Sequence, residues 1–222
     1  MQTNPAQNLQ EVTMQLTALL EQVKLGVGGD TVVRALQAAL DDLSAIATTD
    51  GLTGALNRRG LIEKLDGELD RAKRTGHPFS FAVISIDQYH SLNEQYGSVI
   101  SDQVLKNLTG AVLSLIRSLD SFGRISPNEF ALILPTTWLD QSDGAIVRLT
   151  NAVAALDWAS IAPSLAVTFS TGLTTNMKDD DADKMILRAS QALMLAKAKG
   201  PGSSAALDHG LLDFDPGLDV GF

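Results

Sequence analysis

Arg117 and Asp120 stand three residues apart, with Ser126-Pro127-Asn128-Glu129-Phe130 close behind them. A guanidinium offers a planar fork of donors, and a carboxylate beside it accepts, so the two could hold one planar ring that carries both acceptors and N–H groups. Placed around a helix end, this pair could face one such ring. The same residues have a plainer use: an arginine in a last helical turn suits the helix dipole, and an aspartate suits the loop that follows. Ser126-Pro127-Asn128 is a tight-turn signal between two strand-like runs. Other chemistry is scarce. The chain has no cysteine, which removes disulfides and thiolate metal sites. His77, His90 and His209 are scattered, without the helical pair that would suggest zinc. No metal or cofactor is expected.

The elements that must carry these residues alternate. Arg59 to Arg74 reads as a helix, and Phe79 to Ile86 as a buried strand. Asp102 to Ser118 reads as an amphipathic helix with Val104, Leu105, Leu108, Val112, Leu115 and Ile116 on one face. Two strands follow around Pro127. Then come a helix from Gly144 to Leu156, a strand from Leu165 to Leu173 and a helix from Asp181 to Lys199, stopped by Gly200-Pro201-Gly202. Strands alternating with helices give an α/β class.

The first 48 residues form a separate unit. Leu9, Val12, Leu16, Leu19 and Val23 make one apolar seam, and Val33, Leu36, Leu40, Leu43 and Ala47 a second. Glycine at Gly26, Gly28 and Gly29 suits the turn between them, with Asp30 as N-cap. This predicts a helical hairpin, packed on itself, on the next domain or on a second copy in a homodimer. Gly28-Gly29-Asp30 lacks flanking strands and is read as a helix turn. Residues 206–222 form an acidic, apolar tail. The 222 residues are 45% hydrophobic with a net charge of −9, enough for one core plus an extension and unfavourable for nucleic acid as main partner. No apolar run is long enough for a membrane span, so membrane insertion is not expected and the cytoplasm is the expected location.

Five segments, in order, resemble the GGDEF domain of the diguanylate cyclase family. Asp50-Gly51-Leu52-Thr53-Gly54-Ala55-Leu56-Asn57-Arg58-Arg59 resembles its opening signature. Ser85-Ile86-Asp87-Gln88-Tyr89-His90 through Gly97 is similar to D-x-D-x-F-K-x-x-N-D-x-x-G. Ser126 to Phe130 sits at the hairpin that gives the family its name, with Glu129 and Phe130 retained. Ser170-Thr171-Gly172 and Ala189 to Gly200 match the late strand and helix. The resemblance covers about residues 49–205. It implies a nucleotide-cyclase-like fold, a mainly antiparallel central sheet wrapped by helices.

It also implies roles. The family's metal-binding acids fall at Ser85 and Asn128, both neutral, and magnesium prefers carboxylate oxygen. Pro127 replaces a glycine and removes an N–H. The resemblance therefore predicts a catalytically inactive protein, not an enzyme. Asn93 and Asp102 match residues that read the GTP base, or serve as ordinary helix-capping residues. Lys197 matches a phosphate-contacting lysine, while Pro201 and His90 replace basic residues. Arg117 and Asp120 match the RxxD motif that binds cyclic di-GMP, with Arg148 as a second arginine; the family commonly takes two stacked ligands there. The expected function is a cyclic di-GMP receptor signalling to a downstream protein of unknown identity. Two rivals stay open: an interaction module that binds no nucleotide, and an enzyme rebuilt around Asp87 and Glu129. Arg58 and Arg59 are expected to tie the domain's start to its own fold.

Overall fold

The structure is a computed structural model that describes residues 5–24 and 29–208. The Gly26–Gly28 part of the first turn and the tail beyond Asp208 lie outside the described residues. Helices α1 (Pro5–Lys24) and α2 (Asp30–Thr48) precede α3 (Arg58–Thr75) and strand β1 (Phe79–Ile86). Then follow α4 (Tyr89–Leu115), β2 (Ser121–Ser126), β3 (Glu129–Pro135), α5 (Leu139–Ala154), β4 (Phe169–Thr175), α6 (Ala182–Lys199) and β5 (Ser204–Ala206).

All eight residues of β1 are buried. A strand covered on both faces belongs at the centre of a sheet, and the strand order is β2-β3-β1-β4-β5. β1 pairs antiparallel with β3 and with β4, and among the named strands β4–β5 is the parallel pair. Ala82, Ile84 and Ile86 face a core shared with α4 and α5, while Phe79, Phe81 and Val83 face α3 and α6. On the latter side, α6 lies so close that a Cβ on Gly172 would come 2.1 Å from the Ala189 carbonyl oxygen. Only glycine fits there.

Three expected boundaries move. The strand read from Leu165 starts at Phe169, because Phe169 faces Ile86, the last residue of β1. Leu165 and Val167 are buried but have no strand to pair with. The helix read from Asp102 begins at Tyr89 and breaks at Gly97, whose φ of 81° and ψ of 168° are non-helical. The α5 helix begins at Leu139, earlier than Gly144.

The N-terminal helices pack on each other. Gly29, not Asp30, is the N-cap of α2, and Asp30 sits in the first turn where its charge suits the dipole. The second seam is rotated from the expected one. Ala39 is 2% exposed, whereas Val33 and Leu40 are 61% and 52% exposed. Val23 on α1 also faces out.

An ion pair absent from the sequence reading pins α6 to the sheet. Arg188 and Asp180 are both about 95% buried. Arg188 Nη1 donates to Asp180 Oδ1 at 3.1 Å, Nε to Thr174 Oγ1 at 2.6 Å and Nη2 to the Thr175 carbonyl at 2.8 Å. Asp180 also accepts from the Met177 N–H at 2.7 Å.

Arg188→Met should lower unfolding free energy by about 3–5 kcal/mol, because it strands a buried carboxylate. Lys184→Ala, which removes an exposed pair with Asp181, should change it by less than about 0.5 kcal/mol; equal denaturant midpoints for the two variants would contradict this. In the hairpin, Ala39→Asp should lower the helical melt while Leu40→Asp leaves it within about 0.5 kcal/mol of wild type, as read by circular dichroism.

Candidate functional site

The carboxyl end of β1 is where the functional candidates converge. Ser85, fully buried, pairs across the sheet with Glu129 of β3 and Ser170 of β4. The two-residue turn Pro127-Asn128 joins β2 to β3. The Asn128 carbonyl accepts from the Ile86 N–H at 3.1 Å, and its amide Nδ2 donates to Ser85 Oγ at 3.4 Å. The two neutral residues that replace the expected acids therefore face each other. Glu129 accepts from Ser126 Oγ at 3.2 Å. Phe130 is fully buried and stacks on Phe122, with centroids 5.1 Å apart, so it holds the hairpin together.

Arg124 is the residue that sequence reasoning missed. Its Nη2 donates to the Pro127 carbonyl at 2.7 Å, and its Nη1 lies 3.4 Å from Asp50 Oδ1. The backbone of Leu56 bonds to both Phe122 and Arg124. The opening signature is thus wired to the hairpin turn. Two separately quoted motifs with opposite charges were the available signal. Asp50 also accepts from Thr53 N–H at 2.9 Å and Thr53 Oγ1 at 2.6 Å. Burial alone would raise the Asp50 carboxyl; the Thr53 hydrogen bonds and Arg124 outweigh it and hold the pKa below the usual value. By contrast, Arg59 pairs with Glu63 in the open, with both side chains exposed. The tie expected of Arg58 and Arg59 is made by Asn57, which accepts from Gly60 N–H at 2.9 Å and donates to the Ala47 carbonyl at 2.9 Å.

Asp87 is a joint in the fold. It accepts from Thr168 Oγ1 at 2.7 Å, Ser170 Oγ at 2.6 Å and the Gly202 N–H at 2.7 Å. Beside it opens a cleft of about 330 Å³ lined by Asp87, Gln88, Ser91, Tyr96, Thr168 and Pro201. Its walls do not include Asn93, Asp102 or Lys197. Asn93 is exposed, and Ser101 Oγ donates to its Oδ1 at 3.0 Å across the Gly97 break. Asp102 is half-buried. Burial pushes the Tyr89 phenol pKa up, with Arg124 opposing and Asp102 adding to it, so both charges act on that ring. Lys197 lies exposed in the last turn of α6. His90 is exposed against Glu94 at 3.2 Å.

Magnesium seeks several hard oxygen ligands. Among the described residues no group of three or more acidic or histidine side chains is gathered for a metal. Asp87, two residues on from Ser85, and Glu129, its partner across the sheet, are already hydrogen-bonded to protein partners. This donor set does not fit a carboxylate cradle.

Arg117 and Asp120 lie just past α4. The Arg117 N–H donates to Asp120 Oδ2 at 2.8 Å and the Asp120 N–H to the Arg117 carbonyl at 3.0 Å. The motif is a closed turn, with the Arg117 side chain exposed. Arg148 is exposed on α5, a helix that packs against α4.

Residues 47–203 match the family described as "Diguanylate cyclase, GGDEF domain". The chain belongs to the GGDEF family. Among curated GGDEF relatives, the diguanylate cyclase DgcP of Pseudomonas aeruginosa is 33% identical over 199 residues, 90% of this chain and 29% of that protein. The response regulator PleD of Caulobacter vibrioides is 32% identical over 72% of this chain and 36% of its own length. The chain thus spans about a third of these relatives. The diguanylate cyclase SiaD of Pseudomonas aeruginosa, solved with its activator SiaC, superposes with a TM-score of 0.73 at 28% identity, over 91% of this chain and 78% of that one. The coiled coil and GGDEF domain of DgcB from Caulobacter crescentus, in complex with c-di-GMP, gives 0.73 at 23% identity, over 87% and 100%, which shows the fold.

These relatives correct one expectation. Ser85 and Asn128 were read as excluding an enzyme; a GGDEF relative 33% identical over 90% of the chain is named a diguanylate cyclase, which points to an enzyme. Two neutral side chains describe the electrostatics of one pair of positions and do not by themselves set a rate. Among the described residues no helix is long and apolar enough to cross a membrane.

The lowered Asp50 pKa has a signed consequence. A depressed folded-state pKa contributes stability above the unfolded value, lost as pH falls from about 4 through the folded value. Asp50→Asn should therefore cost stability near neutral pH, and its gap to wild type should narrow below about pH 4. Urea melts at both pH values check this; a gap that does not change with pH would contradict it.

Proposed function

We propose that this GGDEF domain works in cyclic di-GMP signalling in the cytoplasm and binds cyclic di-GMP at the Arg117–Asp120 turn, with Arg148 contributing from α5. The observation that carries this is the closed turn. The backbone of Arg117 and the carboxylate of Asp120 hold each other, so the guanidinium is presented on a pre-formed loop rather than a free one. Pre-organisation lowers the ordering cost of binding. Asp120 Oδ2 is engaged within the turn, which leaves the other oxygen to accept from a guanine N–H while the guanidinium fork meets O6 and N7.

A second reading is favoured by relatives named diguanylate cyclases, DgcP at 33% identity foremost: the domain makes cyclic di-GMP from GTP. Asn93 and Asp102 would then read the base and Lys197 contact phosphate. The Arg117 turn would sense product rather than an outside signal. SiaD, which shares 28% identity, is solved with a protein activator, and a protein partner belongs to both readings.

Calorimetric titration with cyclic di-GMP tests the first reading. Arg117→Ala should weaken binding about tenfold or more, since a hydrogen bond to a charged group contributes roughly 1.5–3 kcal/mol. The unliganded melt should be nearly unchanged, because the removed side chain is exposed. No saturable binding by wild type, or equal binding by the variant, would end the proposal. Incubation with GTP and magnesium, read by product formation against a no-protein control, decides the second.

A further inference from the structure

Helix α6 carries two apolar faces. Its inner face, with Met185, Ala189, Ala192, Leu193 and Ala196, is buried against the sheet and α3. Its outer face carries Leu187 and Met194, 54% and 71% exposed, with Leu195 beside them at 39%. Leu187, Gln191, Met194 and Ala198 recur at steps of four, three and four, so they form one stripe along the helix. A helix that buries one face normally turns polar groups to water on the other. Here all three large outer side chains stay open among the described residues.

Charge is sorted along the same helix. Its N-terminal end carries Asp181 and Asp183, with Lys184 held by Asp181 at 3.8 Å. Its C-terminal end carries Lys197 and Lys199, and Lys199 Nζ donates to the Ser204 carbonyl at 3.2 Å. Asp183 and Lys197 are exposed and form no ion pair among the described residues. Their separation in sequence brings them within about 40° of each other around the helix, on one border of the stripe.

We propose that the outer face of α6 is the contact surface for a second copy of this chain, packed antiparallel about a two-fold axis near Ser190 and Gln191. A two-fold interface is self-complementary, residue i meeting j and j meeting i. In this register Leu187 of each copy meets Met194 of the other, and Asp183 of each meets Lys197 of the other. On the opposite border Asp181, with Lys184, meets Lys199. A parallel pair would instead set Asp183 against Asp183 and Lys197 against Lys197, and like charges across an interface are costly. A single helix pair falls at the small end of specific interfaces, so the dimer is reversible and depends on concentration. It uses none of the seam residues of α1 and α2, so mutation separates it from pairing through the N-terminal hairpin.

Sedimentation velocity of the full chain over a range of concentrations tests this. Wild type should pass from monomer to dimer as concentration rises. Met194→Asp should stay monomeric over the same range, with its melt close to wild type because the side chain is exposed. Asp183→Lys and Lys197→Asp should each weaken association severalfold. An equimolar mixture of the two should recover it, since each altered residue then meets an opposite charge. The chain has no cysteine, so disulfide trapping reads the direction. Gln191→Cys should oxidise in air to a linked dimer, whereas Met194→Cys should not. Antiparallel packing sets the two copies of residue 194 about 10 Å apart along the axis, beyond disulfide reach. A wild type monomeric at every concentration, or a dimer that Met194→Asp leaves intact, would overturn the proposal. So would Met194→Cys linking as readily as Gln191→Cys, since the helices would then run parallel.

Discussion

Strand β1 has no side facing water, and that burial organises the rest of the domain. Eight consecutive buried residues need a neighbour strand on each edge and a helical layer on each face. The edges are supplied by β3 and β4, which come from distant parts of the sequence. Both faces are closed, so polar character appears where the strand ends. Asp87 sits at that exit and accepts from Thr168, Ser170 and Gly202. One carboxylate thereby ties the entry to β4, the start of β4 and the loop before β5 to the end of the central strand. A buried or half-buried carboxylate needs such partners to stay charged cheaply.

The same logic unites the family's motifs. Asp50 and Thr53 of the opening signature meet Arg124 of β2, and Arg124 meets the hairpin turn at Pro127. The motifs are therefore parts of a single electrostatic assembly rather than independent labels. Proline suits that position because the turn is held through its carbonyl, which proline keeps. The turn at the other end of β2, Arg117 to Asp120, is closed by local hydrogen bonds.

Much of this was legible because the signals were local. The run Phe79–Ile86 announced a buried strand, and Ser126-Pro127-Asn128 announced the turn between β2 and β3; both are found. The long-range parts were not. Arg188 looks like any helical arginine until Asp180 and Thr174 surround it. Leu165 and Val167 carry strand composition, yet a strand requires a partner and β1 has ended. Val33 and Leu40 fit a heptad-like step, but the face that α2 buries is decided by how α1 and α3 lie against it, and Ala39 is buried where they are not. The replaced positions Ser85 and Asn128 were read correctly as neutral and wrongly as deciding whether the chain is an enzyme.

The order of strands has a consequence during synthesis. Within this sequence α1 and α2 emerge before β1, and they can close on each other as soon as both are out. β1 follows, but both its edges stay open until β3 and then β4 are made. At typical elongation rates the interval to β4 is on the order of ten seconds. Through that interval a strand that ends up wholly buried, with free amides on at least one side, is the surface a nascent-chain chaperone would meet.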